Sequence, residues 1–329
     1  MAGGGAGTFL CLDSGPLRWR RKLIVSRRLA LVGVGKWGAN FLKTIVASGQ
    51  DEIRFIVSSK SRQQLDAIAA NQAVLLTDIS LIDSYVNEID GVIVATPPAV
   101  RANIVEQLLR LGLPVLAEKP LSLQRDDSLK LIELARSSGV PLVEDFIHLF
   151  SWPYIKLNEQ LSHDSPIEIE SRGGNRGPYR DYSPLYDYSP HDLAMILQIF
   201  DCMPDSISLE LQNIEGELAF GANIVLGFGQ LGQAKIFNSN TSSAKERLFV
   251  LRQGEQCWEY DDTSDIKLTL NGISQSSSLS SSSSIQLALD YFCGRKEFYK
   301  QEKMLWLSKS VAEILYRLEL QYAELIKNH

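Results

Sequence analysis

Two short segments of the sequence carry side chains that could move a proton. One is Ala117–Pro120, which contains Lys119, and the other is Asp187–His191, which places a carboxylate four residues before an imidazole. Lys, Asp and His are side chains whose pKa values proteins adjust for general acid–base work. Asp187 and His191 are therefore compatible with a proton-transfer site.

The second segment also has the pattern of a helix start. Ser189 and Pro190 come just before an apolar run that ends at Phe200, which predicts Ser189 as the N-cap, with Asp192 closing a capping box. His191 would lie in the first turn, where the positive end of the helix disfavours a charged imidazole. A nearby Asp187 would act in the opposite direction. The alternative is an ordinary capped helix with an exposed histidine.

A glycine pattern marks a possible anion site. Gly33-Val34-Gly35-Lys36-Trp37-Gly38 follows an apolar run and precedes a helical pattern, which is the setting that the G-x-G-x-x-G motif requires. The first glycine permits a tight turn, the second lets the backbone approach a pyrophosphate, and the third lets the helix pack against the strand. We therefore expect this segment to bind a dinucleotide; the alternative is an accidental glycine turn.

The residues after the second apolar run bear on the choice of dinucleotide. An NAD site usually has a carboxylate at this point, whereas this chain has Ser58, Ser59, Lys60 and Arg62. Hydroxyls and cations suit a 2′-phosphate, so we expect NADP to be preferred over NAD. The alternative is a solvated helix entry that does not contact a cofactor.

The apolar runs differ in length and pattern between the two parts of the chain. In residues 28–150 short runs alternate with helical stretches, which predicts a Rossmann-type, doubly wound parallel sheet of the α/β class. In residues 151–329 longer runs alternate apolar and polar positions, which predicts an α+β domain on a largely antiparallel open sheet. We expect the first to bind the dinucleotide and the second to bind substrate and form oligomers. Residues 1–27 are predicted to be a disordered tail, an over-extended start or a transit segment.

The motifs together carry a family resemblance. Ala95-Thr96-Pro97-Pro98 and Glu118-Lys119-Pro120 fall at predicted carboxyl ends of parallel strands, where such sheets bind ligands. Following the glycine motif in this order, they resemble the Gfo/Idh/MocA family of NAD(P)-dependent dehydrogenases, and the resemblance runs from about Arg28 onward. It implies that Thr96, Pro97, Glu118 and Lys119 lie against the cofactor.

The resemblance also implies an activity. The chain would transfer a hydride between the cofactor and a hydroxyl-bearing carbon of a sugar, cyclitol or related polyol. His191 would be the general base, Lys119 would polarise the reacting oxygen, and Asp187 would orient both. Ser189 and Ala194 depart from the family's D-x-G-x-H-x-x-D segment. They leave room for a non-catalytic dinucleotide sensor or regulator as the alternative.

Three further residues are expected to contact the substrate beside Lys119, Asp187 and His191. His148 follows the last apolar run of the Rossmann pattern, although a histidine satisfied within the core would fit the same position. Arg176 and Tyr179 stand in a polar, aromatic segment that could hold a hydroxylated or phosphorylated ligand. A plain surface loop is an equally good interpretation of that segment.

Composition excludes several other classes of protein. The 329 residues have a net charge of −6, the wrong sign for binding a phosphate backbone, so we expect no nucleic-acid partner. The four cysteines form no C-x-x-C pair and the four histidines lack zinc spacing, which predicts reduced thiols and no metal. No apolar run is long enough to span a membrane, so we expect a cytoplasmic protein. The open face of the second sheet predicts a homodimer or homotetramer.

Overall fold

The computed structural model of the protein describes residues 26–69, 72–162, 164–177, 182–216 and 218–329. The predicted N-terminal segment lies outside these residues, apart from its last two positions. Two β-sheets and the helices that cover them make up the part of the chain that is described.

The first sheet is the predicted parallel, doubly wound one. Its strands are β1 (Arg28–Val32), β2 (Glu52–Val57), β3 (Val74–Leu76), β4 (Gly91–Val94), β5 (Val115–Glu118) and β6 (Leu142–Asp145), in the order β3-β2-β1-β4-β5-β6. The helices between them are α1 (Lys36–Ser48), α2 (Arg62–Asp66), α3 (Pro98–Arg110) and α4 (Arg125–Ser138). Every residue of β4, β5 and β6 is buried, as expected for strands with helices on both faces. The strand order reverses between β1 and β4, and such a point opens a crevice at the carboxyl ends of the strands.

The second part of the chain contains the helices α5 (Trp152–Glu159) and α6 (Ser189–Phe200) and the second sheet. Its strands are β7 (Ile167–Arg176), β8 (Ser206–Glu215), β9 (Leu218–Gly227), β10 (Gly232–Ser239), β11 (Thr241–Gln253), β12 (Gln256–Asp261), β13 (Leu268–Leu270) and β14 (Ile273–Ser274). The order is β14-β13-β12-β11-β7-β10-β9-β8. Among the described strands of this second sheet, only β7 and β10 pair in parallel, so the sheet is largely antiparallel, as predicted. The chain closes with α7 (Ser284–Phe292) and α8 (Gln301–Lys327).

One continuous apolar core joins the two sheets. It includes Leu31 of β1, Leu197 of α6, Ile236 of β10 and Leu318 of α8, and all four side chains are fully buried. Every residue of α6 except Gln198 is buried. The beginning of α6, which contains His191, is therefore inside the protein rather than on its surface.

The other face of the second sheet has a different character. Strand β8 alternates partly buried residues such as Leu209, which pack against the core, with exposed residues such as Glu210. Glu168 of β7 and Lys235 of β10 are also exposed. The second sheet is thus packed on one side and polar on the other, as its period-two pattern predicts.

Candidate active site

The glycine segment forms the turn between β1 and α1. Gly33 has a φ of +87°, and a Cβ there would lie 2.9 Å from the carbonyl oxygen of Ala95. A Cβ on Gly38 would lie 2.0 Å from the Gly33 carbonyl oxygen, so the helix can approach the strand only with glycine at this position. A Cβ on Gly35 would meet nothing within 4 Å. The turn therefore leaves open space beside Gly35, at the N-terminus of α1.

This turn has the features that a dinucleotide pyrophosphate requires. Gly35 is the N-cap of α1, so the unpaired N–H groups of the first helical turn lie next to the open space. Lys36 and Trp37 begin the helix and are exposed, with Trp37 41% accessible. The predicted cofactor residues of this segment thus lie together at one end of the parallel sheet.

The loop after β2 lies beside the glycine turn, because the Gly33 N–H donates to the Val57 carbonyl at 2.9 Å. Ser58 accepts a hydrogen bond from the Lys60 N–H at 3.1 Å. Ser61 caps α2 and receives a hydrogen bond from the Gln64 N–H. Arg62 is turned elsewhere: its guanidinium donates to the Ala73 carbonyl and lies 3.8 Å from the Asp66 carboxylate. Ser58, Ser59 and Lys60 therefore follow the strand end, while Arg62 already has protein partners.

The two proline-containing motifs lie side by side at the ends of β4 and β5. Arg101 of α3 joins them, because its guanidinium donates to the carbonyls of both Thr96 and Pro120. Arg101 is only 4% exposed. The hydroxyl of Thr96 is buried and has no hydrogen-bond partner among the described residues. This orphaned hydroxyl, beside the glycine turn, is the kind of group that a bound ligand would satisfy.

Lys119 connects the parallel sheet to the segment that precedes α6. Its ammonium donates to the carbonyl of Tyr186 at 3.1 Å and also to the carbonyl of Asp187. Burial lowers the pKa of Lys119 to about 8, while the charges of Glu118 and Asp187 act in the opposite direction. The pKa of Lys119 is therefore close to neutral pH. Its charge interacts with both predicted partners, Asp187 and His191.

The beginning of α6 differs from the predicted cap. Ser189 is the first residue of the helix rather than its N-cap, and its hydroxyl lies 2.9 Å from the Asn238 amide of β10. Asp192 does not close a capping box. Its carboxylate accepts from the Ser171 hydroxyl at 2.6 Å and pairs with Arg247 of β11 at 2.7 Å. The second sheet covers this helix end, so these side chains bond to its strands instead of to their own backbone.

His191 lies within this covered helix end. It is 8% exposed, and its Nδ1 has no hydrogen-bond partner among the described residues. Burial holds the pKa of His191 well below its usual range, and the charges of Lys119 and Arg247 and the neighbouring His148 lower it further. The imidazole is therefore neutral at physiological pH and able to accept a proton.

Asp187 is arranged differently from the expectation. Its carboxylate accepts a hydrogen bond from the Asn240 amide at 3.4 Å, and its main-chain carbonyl receives the Lys119 ammonium. The Nδ1 of His191 has no partner among the described residues, so Asp187 does not orient the ring through that nitrogen. Asp187 acts on Lys119 directly through charge and backbone, because its carboxylate raises the pKa of Lys119.

His148 reaches the site from the end of β6, the edge strand of the first sheet. It lies in a short turn after β6, Ile147–Phe150, and its ring meets the His191 ring edge to face, with 5.1 Å between centroids and an interplanar angle of 86°. Its Nδ1 is 3.1 Å from the hydroxyl of Tyr260. Burial holds the pKa of His148 well below its usual range, with Arg247 and the nearby lysines adding to the effect.

The two other predicted substrate contacts are Arg176 and Tyr179. Arg176 is exposed at the end of β7, opposite Thr241 of β11, and its N–H bonds to the neighbouring Asn175 side chain. Tyr179 lies outside the described residues. Within the described ranges, His, Cys, Asp and Glu form no group of three that could hold a metal ion.

Several residues of the site were missed by the sequence analysis. They are Arg101, Asn240, Arg247 and Tyr260. Arg247 and Tyr260 come from adjacent antiparallel strands, more than fifty residues beyond His191 in the chain. No motif marks them, because only the pairing of β11 with β7 and β12 brings them to the site.

The fold and the site define a class of protein. A parallel sheet ordered 3-2-1-4-5-6 with a glycine turn at its first strand is the dinucleotide-binding fold, here followed by a mixed sheet that covers the strand ends. Residues 27–146 match the model of an oxidoreductase family with an NAD-binding Rossmann fold, Gfo/Idh/MocA. None of the helices described here is both long and apolar enough to cross a bilayer.

Similar proteins extend this result. An inositol 2-dehydrogenase of Leifsonia xyli subsp. xyli is 27% identical over 181 residues, which cover 54% of this chain and 52% of that protein. The chain thus matches about half of the length of this relative. A solved structure from Magnetospirillum magnetotacticum MS-1, assigned as an oxidoreductase, is 27% identical with a TM-score of 0.76 and covers 88% of this chain and 99% of the other. The UDP-N-acetylglucosamine 3-dehydrogenase of Acidithiobacillus ferrooxidans shares the fold at 16% identity, with a TM-score of 0.76 over 92% of this chain and 99% of the other.

Substitutions at two glycines should separate folding from cofactor binding. In Gly38→Ala the new methyl would collide with the Gly33 carbonyl, so we expect a loss of about 1–3 kcal/mol in the free energy of unfolding. Gly35→Ala adds a methyl in open space, where backbone φ is −74°, so stability should change by less than about 0.5 kcal/mol. That methyl would nevertheless lie where a pyrophosphate must approach, and dinucleotide affinity should fall at least about tenfold.

Chemical unfolding and titration with NADPH and NADH, followed by cofactor fluorescence, measure the two effects. Each variant is the control for the other. Unchanged cofactor affinity in Gly35→Ala would contradict the assignment of this turn to the pyrophosphate.

Proposed function

We propose that the protein is an NAD(P)-dependent oxidoreductase that moves a hydride between a nicotinamide cofactor and a hydroxyl-bearing carbon of a sugar, cyclitol or related polyol. One observation carries the proposal. The half-buried Lys119, at the carboxyl end of β5, bonds to the two carbonyls that precede α6, and its charge lowers the pKa of the buried imidazole of His191 in that helix. The names of the similar proteins, which include inositol 2-dehydrogenases, support the class of substrate.

In this proposal each side chain has a separate task. His191 takes the hydroxyl proton during oxidation, because its imidazole is neutral and its Nδ1 is without a partner among the described residues. Lys119 donates a hydrogen bond to the reacting oxygen and stabilises its developing negative charge. Asp187 keeps Lys119 charged, since its carboxylate opposes the effect of burial on that ammonium. A bound nicotinamide cofactor would supply the acceptor for the hydride.

The two parts of the chain would divide the work. We assign cofactor binding to residues 28–150, which contain the glycine turn, Thr96, Pro97 and Glu118, and substrate binding mainly to residues 151–329. Arg176, at the end of β7, and Tyr179 remain candidates for contacts to the outer part of the substrate. The polar face of the second sheet is the surface we propose for a homodimer or homotetramer.

The cofactor we propose is NADP in preference to NAD. The support is the absence of a carboxylate after β2, where Ser58 and Ser59 stand, together with the cation of Lys60. Arg62 is a weaker contributor, because its guanidinium is occupied by the Ala73 carbonyl. A non-catalytic sensor remains the second candidate, and the departures at Ser189 and Ala194 are what favour it.

Removal of the Lys119 ammonium should stop catalysis without preventing cofactor binding. We expect Lys119→Ala to lower kcat about 10²–10³-fold, because one donor to the charged oxygen is lost. For the wild type, carbonyl reduction should decline as the pH rises through about 8, where Lys119 loses its proton. Steady-state kinetics across pH and a cofactor titration measure both effects.

Lys130→Ala is the matched control, because Lys130 is an exposed lysine of α4 paired only with Glu106 in the bonds observed. It should keep wild-type kinetics. Full turnover by Lys119→Ala would refute the role of this residue.

One carboxylate introduced at Ser58 should reverse the preference for NADPH over NADH. We expect NADPH to bind the wild type about ten- to a hundredfold more tightly than NADH, the range for one charge-assisted phosphate contact. Salt should weaken the preference, because exposed charges are screened. Ser58→Asp should favour NADH, since a carboxylate there repels the phosphate and accepts from the ribose.

Fluorescence titrations with both reduced cofactors, at low and high ionic strength, measure this preference. Ser137→Asp adds the same charge at an exposed position of α4, away from the loop, and should leave both cofactor affinities unchanged. Equal affinities in the wild type, or tighter NADH binding, would show that Lys60 faces solvent.

A further inference from the structure

Tyr260 is a residue of the site that the roles above do not use. It lies on β12, is 2% exposed, and pairs across the sheet with Phe249 of β11. Its hydroxyl is 3.1 Å from His148 Nδ1. A buried tyrosine hydroxyl that faces a histidine of the active site calls for an explanation beyond core packing, because Phe would fill the same space without a polar atom to satisfy.

The surroundings fix His148 from two sides. The Ser151 hydroxyl donates to the main-chain carbonyl of His148 at 2.8 Å, which holds the turn after β6. Tyr260 holds the ring itself, at Nδ1. The His191 ring packs against the same imidazole edge to face. His148 therefore has little freedom to rotate, and its orientation is set by residues from both sheets.

The protonation states allow Tyr260 to be the donor in this hydrogen bond. Burial raises the pKa of Tyr260 far above neutrality, so its hydroxyl keeps its proton. Burial and nearby cations keep His148 neutral, so only one of its ring nitrogens carries a hydrogen. The Ser151 hydroxyl gives its single proton to the His148 carbonyl, so it does not donate to Tyr260, and the Tyr260 O–H can donate to the ring nitrogen 3.1 Å away.

We propose that Tyr260 is a positioning residue that donates to His148 Nδ1 and thereby fixes His148 as the Nε2–H tautomer, with this N–H available to the substrate cleft. The two ring nitrogens lie on opposite sides of the imidazole. Tyr260 covers the Nδ1 side in the protein interior, whereas His148 itself remains partly exposed. The site then has one imidazole that accepts a proton, His191, and beside it a second imidazole that donates a hydrogen bond.

The role of this arrangement in substrate binding rests on the proposed function. Because the two rings are in contact, the substrate oxygens that they bind must be close neighbours. Hydroxyls on adjacent carbons meet this condition. His148 would then hold the hydroxyl next to the one that is oxidised, and it would contribute to recognition of the substrate rather than to proton removal.

The tautomer can be measured without any turnover. In protein labelled with ¹⁵N in its histidine rings, the nitrogen shifts distinguish Nε2–H from Nδ1–H, and His148→Gln identifies which of the four signals belongs to His148. We expect Nε2–H in the wild type and a mixture of both tautomers in Tyr260→Phe, which keeps the ring but removes the donor. Tyr154→Phe is the control: Tyr154 is equally buried, but its hydroxyl donates to the Met195 carbonyl.

Two results would overturn the inference. One is an Nδ1–H tautomer of His148 in the wild type, and the other is a tautomer in Tyr260→Phe that is the same as in the wild type. Both are independent of the proposed function, because the measurement uses the folded protein alone.

Kinetics with myo-inositol test the consequence. Loss of one hydrogen bond to the substrate should raise KM about tenfold in His148→Ala and several-fold in Tyr260→Phe, with little change in kcat. His148→Gln should recover part of the loss, because its amide N–H reaches about as far as Nε2, whereas the shorter His148→Asn should not. Equal KM values in the wild type, Tyr260→Phe and His148→Ala would refute the contact to substrate. Absence of turnover by the wild type would count against the polyol proposal, and the tautomer would still be decided by the ring nitrogens.

Discussion

The hydrogen bonds from the Lys119 ammonium to the main-chain carbonyls of Tyr186 and Asp187 connect the two halves of the site. Lys119 follows directly from β5, so its position is set by the parallel sheet. The carbonyls belong to the segment that leads into α6, so their position also sets the position of His191 in the first turn of that helix. Because the acceptors are backbone atoms, this contact depends on the path of the chain more than on which side chains surround it. It places a cation from one sheet beside an imidazole that is covered by the other.

Burial then determines the electrostatics of this region. Arg101 and Arg247 are buried cations and Lys119 is half-buried, and the buried acids of this region are Glu118, Glu144, Asp145 and Asp192. Burial raises the pKa of all four acids, and that of Glu144 rises to about 7. Charged groups in such surroundings destabilise a fold unless they are paired, and a hydrophobic replacement is often more stable. Their concentration at one strand edge is typical of a site that is kept for chemistry.

The sequence predicts the parallel sheet well and the covered helix end poorly. Each strand of the first sheet is a short apolar run bounded by Gly, Pro or Asp, and its ligand-binding edge is marked by local motifs at Gly33, Thr96 and Lys119. Local pattern also predicted a capping role for Ser189 and Asp192. That prediction was wrong because Asn238 and Arg247, on strands β10 and β11, provide the partners instead. Contacts between distant strands leave no periodic trace, which is why Arg247 and Tyr260 could not be assigned from the sequence.

The central claim is that this site performs a redox reaction rather than only binding a dinucleotide. The most direct test is the absorbance at 340 nm when the purified wild-type protein is mixed with NADP or NAD and a broad panel of sugars, cyclitols and polyols. The arrangement of Lys119 and His191 predicts that at least one member of the panel produces reduced cofactor at a rate proportional to the enzyme concentration. Tight cofactor binding with no turnover across the whole panel would contradict the account and would identify the protein as a dinucleotide sensor.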